Sequence, residues 1–189
     1  TAIQGGAFHN ATAGVMTVSD SAFSGNTASF AGGGIVNSNW LTITNSLFSD
    51  NEAQGGGGLY NVGDLMITSV TFITNTATTA GGGGIQNVGA LTVTNSTFIN
   101  NTASWGGGLE HSGSGSVTVT GSVFADNTAS NQGGGLVNNS VLTIANSTFS
   151  GNTAASGGGI GNTGILTATN NTLTGGSASL SGGGLSNGS

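Results

Sequence analysis

The chain has no lysine, no arginine and no cysteine, and six Asp and Glu residues give it a net charge of −6. Without a basic side chain it has nothing to hold a phosphate, a sulfate or a nucleic-acid backbone by charge. Nucleic acid is therefore not expected as a partner, nor is an anionic membrane surface. Sites for trypsin-like cleavage are missing as well, so resistance to such proteases is expected. The absence of cysteine excludes disulfides, leaving packing and hydrogen bonds to hold the fold. No apolar run approaches the roughly 20 residues of a membrane-spanning helix, and no membrane insertion is expected. The sequence opens on Thr1 with neither an initiator methionine nor a signal-peptide pattern, which reads as a processed or excised chain.

What is present is a repeat. The octapeptides MTVSDSAF, LTITNSLF, LMITSVTF, LTVTNSTF, VTVTGSVF, LTIANSTF and LTATNNTL recur along the 189 residues without a change of length. Their aromatic ends, Phe23, Phe48, Phe72, Phe98, Phe124 and Phe149, with Leu173 in the seventh place, are 24 to 26 residues apart. Three residues after each Phe stands Asn26, Asn51, Asn75, Asn101, Asn127 or Asn152; Gly176 takes the last place. A glycine run then leads to Phe8, Ile35, Leu59, Ile85, Leu109, Leu136, Ile160 or Leu185. A fixed period of this size identifies a solenoid. Disorder favours high charge and few apolar residues, whereas here 3% of residues are charged and 35% are apolar, placed periodically.

In Leu41-Thr42-Ile43-Thr44 apolar residues and Thr alternate with period two, the pattern of a strand buried on one face. Leu41, Ile43 and Phe48 cannot all face one side of a straight strand, so a corner is expected near Asn45-Ser46. A second is expected near Asn51, because Asn tolerates left-handed backbone, and a third after the glycine-led strand. The reading is an all-β, single-stranded parallel β-helix over residues 1–189. It has about seven coils of ~25 residues and three strands per coil, stacked at the ~4.8 Å strand spacing. Like residues then lie over like, Phe on Phe and Asn on Asn. A second Asn column, Asn10, Asn37, Asn61, Asn87, Asn138, Asn162 and Asn187, is interrupted by His111. Stacked amides can donate and accept along such columns, so their role reads as structural. Asn95, Asn100 and Asn146 stand in N-x-S/T sequons, and an inward Asn could carry no glycan.

Gly32-Gly33-Gly34-Ile35 with Phe48-Ser49-Asp50-Asn51, and Gly82-Gly83-Gly84-Ile85 with Phe98-Ile99-Asn100-Asn101, make a GG-[AG]-[ILV] and F-x-x-N pairing. It resembles the repeats of chlamydial polymorphic outer-membrane proteins and of bacterial surface proteins built on right-handed parallel β-helices. The resemblance implies a right-handed, exported, passenger-type β-helix, often adhesive, and supplies no catalytic residue. This sequence contains no β-barrel translocator segment.

Catalysis is not expected. Glycosidase-like chemistry needs two carboxyl groups about 5 to 10 Å apart. Asp50 and Asp126 share a column but lie three coils apart, roughly 14 Å by strand spacing. Asp50 with Glu52 reads as a solvated corner, and Glu110 beside His111 has no nucleophile or third group. No cofactor or metal is implied. Outward Thr columns, Thr42, Thr92, Thr118, Thr143 and Thr167 beside Thr44, Thr94, Thr120 and Thr169, resemble the T-x-T faces of ice-binding solenoids. Trp40, Tyr60 and Trp105 sit at corners where they could stack on sugars or on a neighbouring chain. Gly5-Gly6-Ala7-Phe8 and Gly182-Gly183-Gly184-Leu185 are in the same phase of the repeat, without polar caps. The expectation is an extracellular or cell-surface structural or adhesive solenoid. It would polymerise head to tail through end coils carrying Phe8, Asn10, Leu185 and Asn187, with other copies of itself, and host or surface glycans, as partners. The alternative is a monomeric module binding ice or glycan.

Overall fold

The computed structural model describes residues 2–11 and 13–188. All their regular structure is strand, and every named pairing is parallel between successive coils, so the chain is a β-solenoid of about seven turns. One coil runs Ile35–Asn37, Trp40–Thr44, Leu47–Ser49 and Glu52–Ala53. Stacking such coils gives a glycine-led sheet of eight strands, a Thr sheet and a Phe sheet of seven each, and an Ala sheet of six. There are thus four strands per coil, where the sequence predicts three. The fourth is as short as two residues, with a single small interior residue per coil (Ala28, Ala53, Ala77, Ala103, Ala129, Ala154), too little to show an alternation.

The corners follow from left-handed backbone. Asn45 (φ 48°) turns the chain between the Thr and Phe sheets, Asp50 (φ 56°) between the Phe and Ala sheets, and Gly56 (φ 59°) before the next glycine-led strand. At the second corner the left-handed residue is therefore the one before the expected Asn51, which is freed to point inward. Leu41, Ile43 and Phe48 all reach the interior around the first corner. Each element of the glycine run has its own cause. Gly82 takes φ 69°; a Cβ on Gly83 would stand 2.5 Å from Gly107 O; one on Gly84 would stand 2.6 Å from Gly108 O and 2.9 Å from the Phe98 ring. The run lets successive backbones close onto one another and onto the Phe column.

That column is the spine of the core. From Phe23 to Phe149 successive ring centroids are 4.5 to 5.0 Å apart, with planes within 16° of parallel. The strand spacing itself holds the rings in an offset stack. Beside it the F-x-x-N amides are completely paired. Asn75 Oδ1 accepts from both the N–H and the Nδ2 of Asn51, while Asn75 Nδ2 donates to Phe48 O and Asn101 Oδ1. A third ladder, of Ser hydroxyls, escapes a reading for amides: Ser122 Oγ accepts from Ser96 N–H and donates to Thr120 O.

Candidate functional site

Four places on the rod carry chemistry. The second Asn column is buried and runs in one direction. Asn10 Nδ2 donates to Asn37 Oδ1 (2.8 Å), Asn37 to Asn61 (2.7 Å), Asn61 to Asn87 (2.7 Å), Asn138 to Asn162 (2.7 Å) and Asn162 to Asn187 (2.6 Å). His111 interrupts it. Asn87 Nδ2 meets His111 Nδ1 at 3.2 Å, and the buried His111 Nε2 has no hydrogen-bond partner. Burial lowers its pKa, while the nearby backbone of Asn87 and Gly115 pulls the other way. Glu110, one residue earlier, points to the outside of the same strand yet is 8% exposed. Burial raises its pKa against the opposing hydrogen bond with Gln86, and its Oε2 is unpartnered. The two side chains lie on opposite faces of one strand, so no acid-base pair is formed. Among the described residues no group of three His, Cys, Asp or Glu could hold a metal ion.

The Thr columns are in register as read: Thr17, Thr42, Met66, Thr92, Thr118, Thr143 and Thr167 pair in succession, with Ser19, Thr44, Thr68, Thr94, Thr120, Ala145 and Thr169 beside them. The face is not flat throughout. Trp40, Asp64 and Met66 border a depression of about 230 Å³ over Leu65 and Leu91.

At the two ends of the rod large apolar side chains face outward. Ile3 (74% exposed), Phe8 and Val15 crown one end, and Ile165, Leu180 (80%) and Leu185 the other. The second end opens into a hollow of about 370 Å³ lined by Leu166, Ala168 and Leu185, with Asn162 and Asn187 at its rim.

The fourth place is a concave angle where the Ala sheet meets the glycine-led sheet. The outward column Val36, Tyr60, Gln86, Glu110 and Val137 faces a wall of Ala31, Gly55, Gly81, Trp105, Gln132 and Ser156. The wall is cut to fit the floor. A Cβ on Gly55 would run into Gln86 Oε1, one on Gly81 into the Glu110 carboxyl group, and one on Gly161 into Gln132. Further along, Ser181 Oγ and Ser186 Oγ are 3.0 Å apart across the same angle. Two depressions follow each other along it: one of about 170 Å³ lined by Phe30, Tyr60 and Gln86, and one of about 380 Å³ lined by Trp105, Gln132 and Leu180. Sequence reading places Tyr60 and Trp105 at corners but misses the groove. The register shifts beside Trp105, Gln132 and Ser156, so these columns cannot be counted out from the period. The available signal is glycine at Gly55 and Gly81 opposite the long side chains of Gln86 and Glu110.

The sequon residues also have a different setting from the inward one expected. Asn95, Asn100 and Asn146 are exposed at left-handed corners, and the inward amides are other residues.

Comparison with protein families, with curated proteins and with solved structures found no match to this chain. What fold and site define is a class, the parallel β-solenoids.

Proposed function

We propose that this protein is a structural and adhesive β-solenoid of the cell surface or extracellular space, whose coils stack end to end between copies. The observation that carries the reading is the fit between the two ends. The hollow beside Leu185 at one end and the half-exposed Phe8 at the other occupy the same phase of the repeat. Placing a second copy one coil beyond Leu185–Asn187 sets Phe8 under Leu185 and extends the four sheets by strand addition. The amide ladder runs the right way for it. Asn162 donates to Asn187 Oδ1, which leaves Asn187 Nδ2 directed as a donor to the Oδ1 of the next Asn10. Contacts of this heterologous kind do not close and build filaments. The resemblance of the GG-[AG]-[ILV] and F-x-x-N repeats to bacterial surface β-helices supports the location, and the absence of Lys and Arg suits a protease-rich exterior.

Negative-stain electron microscopy over a dilution series tests this. Long unbranched fibres are expected, breaking down to rods roughly 34 Å long, seven strand spacings, in Phe8→Asp or Leu185→Asp variants. Uniform short rods of the unaltered chain at every concentration would refute it. A second reading, a face that binds ice, is favoured by the in-register Thr columns alone. An ice-recrystallisation assay in which Thr92→Leu and Thr118→Leu matter would move the function to that face.

A further inference from the structure

The groove between the Ala sheet and the glycine-led sheet has features the end-stacking reading does not use. Three aromatic side chains, Phe30, Tyr60 and Trp105, stand along it; Phe30 and Trp105 are exposed, and Tyr60 is half-buried. Such rings offer broad apolar faces beside polar groups. Between and beside them the polar side chains are uncharged, the amides of Gln86 and Gln132 among them, which can donate and accept at once. Glu110, between the two depressions, is covered by Gly81 and lines neither of them.

We infer that this groove binds a neutral polysaccharide chain lying along the rod axis, with sugar faces on Phe30, Tyr60 and Trp105 and sugar hydroxyls on Gln86 and Gln132. Charge decides against an anionic polymer, because no Lys or Arg exists in the chain and the net charge is −6. The alternation of rings with two-way amides favours hydroxyl-rich rings over an extended peptide, which would seek unpaired strand edges; the glycine-led sheet is paired through all eight strands, and the wall is joined at Ala31–Gly55 and Gly81–Trp105 by bridges. The depressions lie end to end and together reach from Phe30 to Leu180, so a chain of several sugars fills both and a disaccharide does not. The inference stands independently of end-to-end stacking.

The test is titration of the full chain, in a Trp40→Phe background so that Trp105 alone reports, with neutral β-linked gluco-oligosaccharides of two to six units. Saturable change of Trp105 fluorescence is expected, with affinity rising with chain length. Trp105→Ala, followed by calorimetry, should weaken binding about tenfold or more, the loss typical of an aromatic hot spot. Gln132→Leu should weaken it as well, since the aliphatic side chain neither donates nor accepts at that point. The inference fails if folded protein, verified by circular dichroism, gives no saturable response to any neutral chain. It also fails if affinity is the same for two units as for six, if Trp105→Ala binds unchanged, or if an oligouronate or an extended peptide binds in preference to the neutral sugar.

Discussion

Asn101 shows how one side chain can hold several others. Its Oδ1 accepts from Asn75 N–H (3.0 Å) and Asn75 Nδ2 (2.9 Å), and its Nδ2 donates to Phe72 O (3.0 Å) and Asn127 Oδ1 (2.9 Å), all buried. Truncation strands the Asn75 N–H and one hydrogen of Asn75 Nδ2, and takes one bond each from Phe72 O and from Asn127 Oδ1, which keeps the Asn101 N–H, at about 1–3 kcal/mol for each group left unsatisfied. Asn101→Ala should therefore cost about 3 kcal/mol or more, read as a fall in the urea midpoint. His111 supplies the converse. Replacing it by Asn restores a donor and acceptor between Asn87 and Asn138, and should stabilise by about 1–2 kcal/mol. The same position governs the response to acid. Because burial lowers its pKa below 6.5, His111 contributes fully above 6.5, and that contribution is lost as pH falls further, when the unfolded chain takes the proton first. Glu110 acts oppositely. Its raised pKa makes its contribution full below 4.5 and lost as pH rises through the folded value. Urea midpoints from about pH 4 to about pH 8 should show the acid-side loss vanish in His111→Asn and the loss on raising pH vanish in Glu110→Gln. Unchanged profiles would mean that neither group titrates differently on folding. The ladder residues were legible in the sequence because period and chemistry coincide in them. The unpartnered Oε2 of Glu110 was not, because its burial comes from Gly81, which lies outside the named strands and is joined by a single bridge to Trp105, where the register shifts.

At the scale of the element, the glycine run and the corners divide the work of turning the chain. Gly84 lies against the Phe98 ring and Gly108 O, so a methyl group there separates coils as well as crowding the core. Gly84→Ala should destabilise by about 1–3 kcal/mol, the usual cost of overpacking. Gly25 is the control. It has left-handed backbone with nothing near its would-be Cβ, and Asp50, Thr74 and Asn100 fill the equivalent place in other coils. Gly25→Asn should stay within about 0.5 kcal/mol of the parent. Equal losses for the two, in parallel urea titrations, would show that contact between coils is not what makes Gly84 necessary. This distinction explains which elements the sequence discloses. Phe48 and the Leu41/Ile43 pair are large and strictly spaced, so their strands and the first corner are plain. The Ala sheet buries one methyl per coil and absorbs the insertions, so its strand merges with the loop on either side.

Across the whole molecule, stability comes from neutral contacts repeated coil by coil, the quasi-one-dimensional arrangement of solenoids. Ring stacks, amide ladders and strand pairing all act between neighbours, and with no Lys or Arg no salt bridge to either can add to them. The carboxyl groups of Asp20, Asp50, Glu52, Asp64 and Asp126 are exposed and repel one another along the rod. Salt screens repulsion between exposed charges over about 10 Å at 0.1 M, and here it has no attraction between acidic and basic side chains to weaken. The melting temperature should accordingly hold steady or rise slightly as sodium chloride is taken from about 0.01 to about 1 M, the opposite of a fold tied by surface ion pairs. A fall of several degrees would mean that a charge attraction contributes to the rod after all.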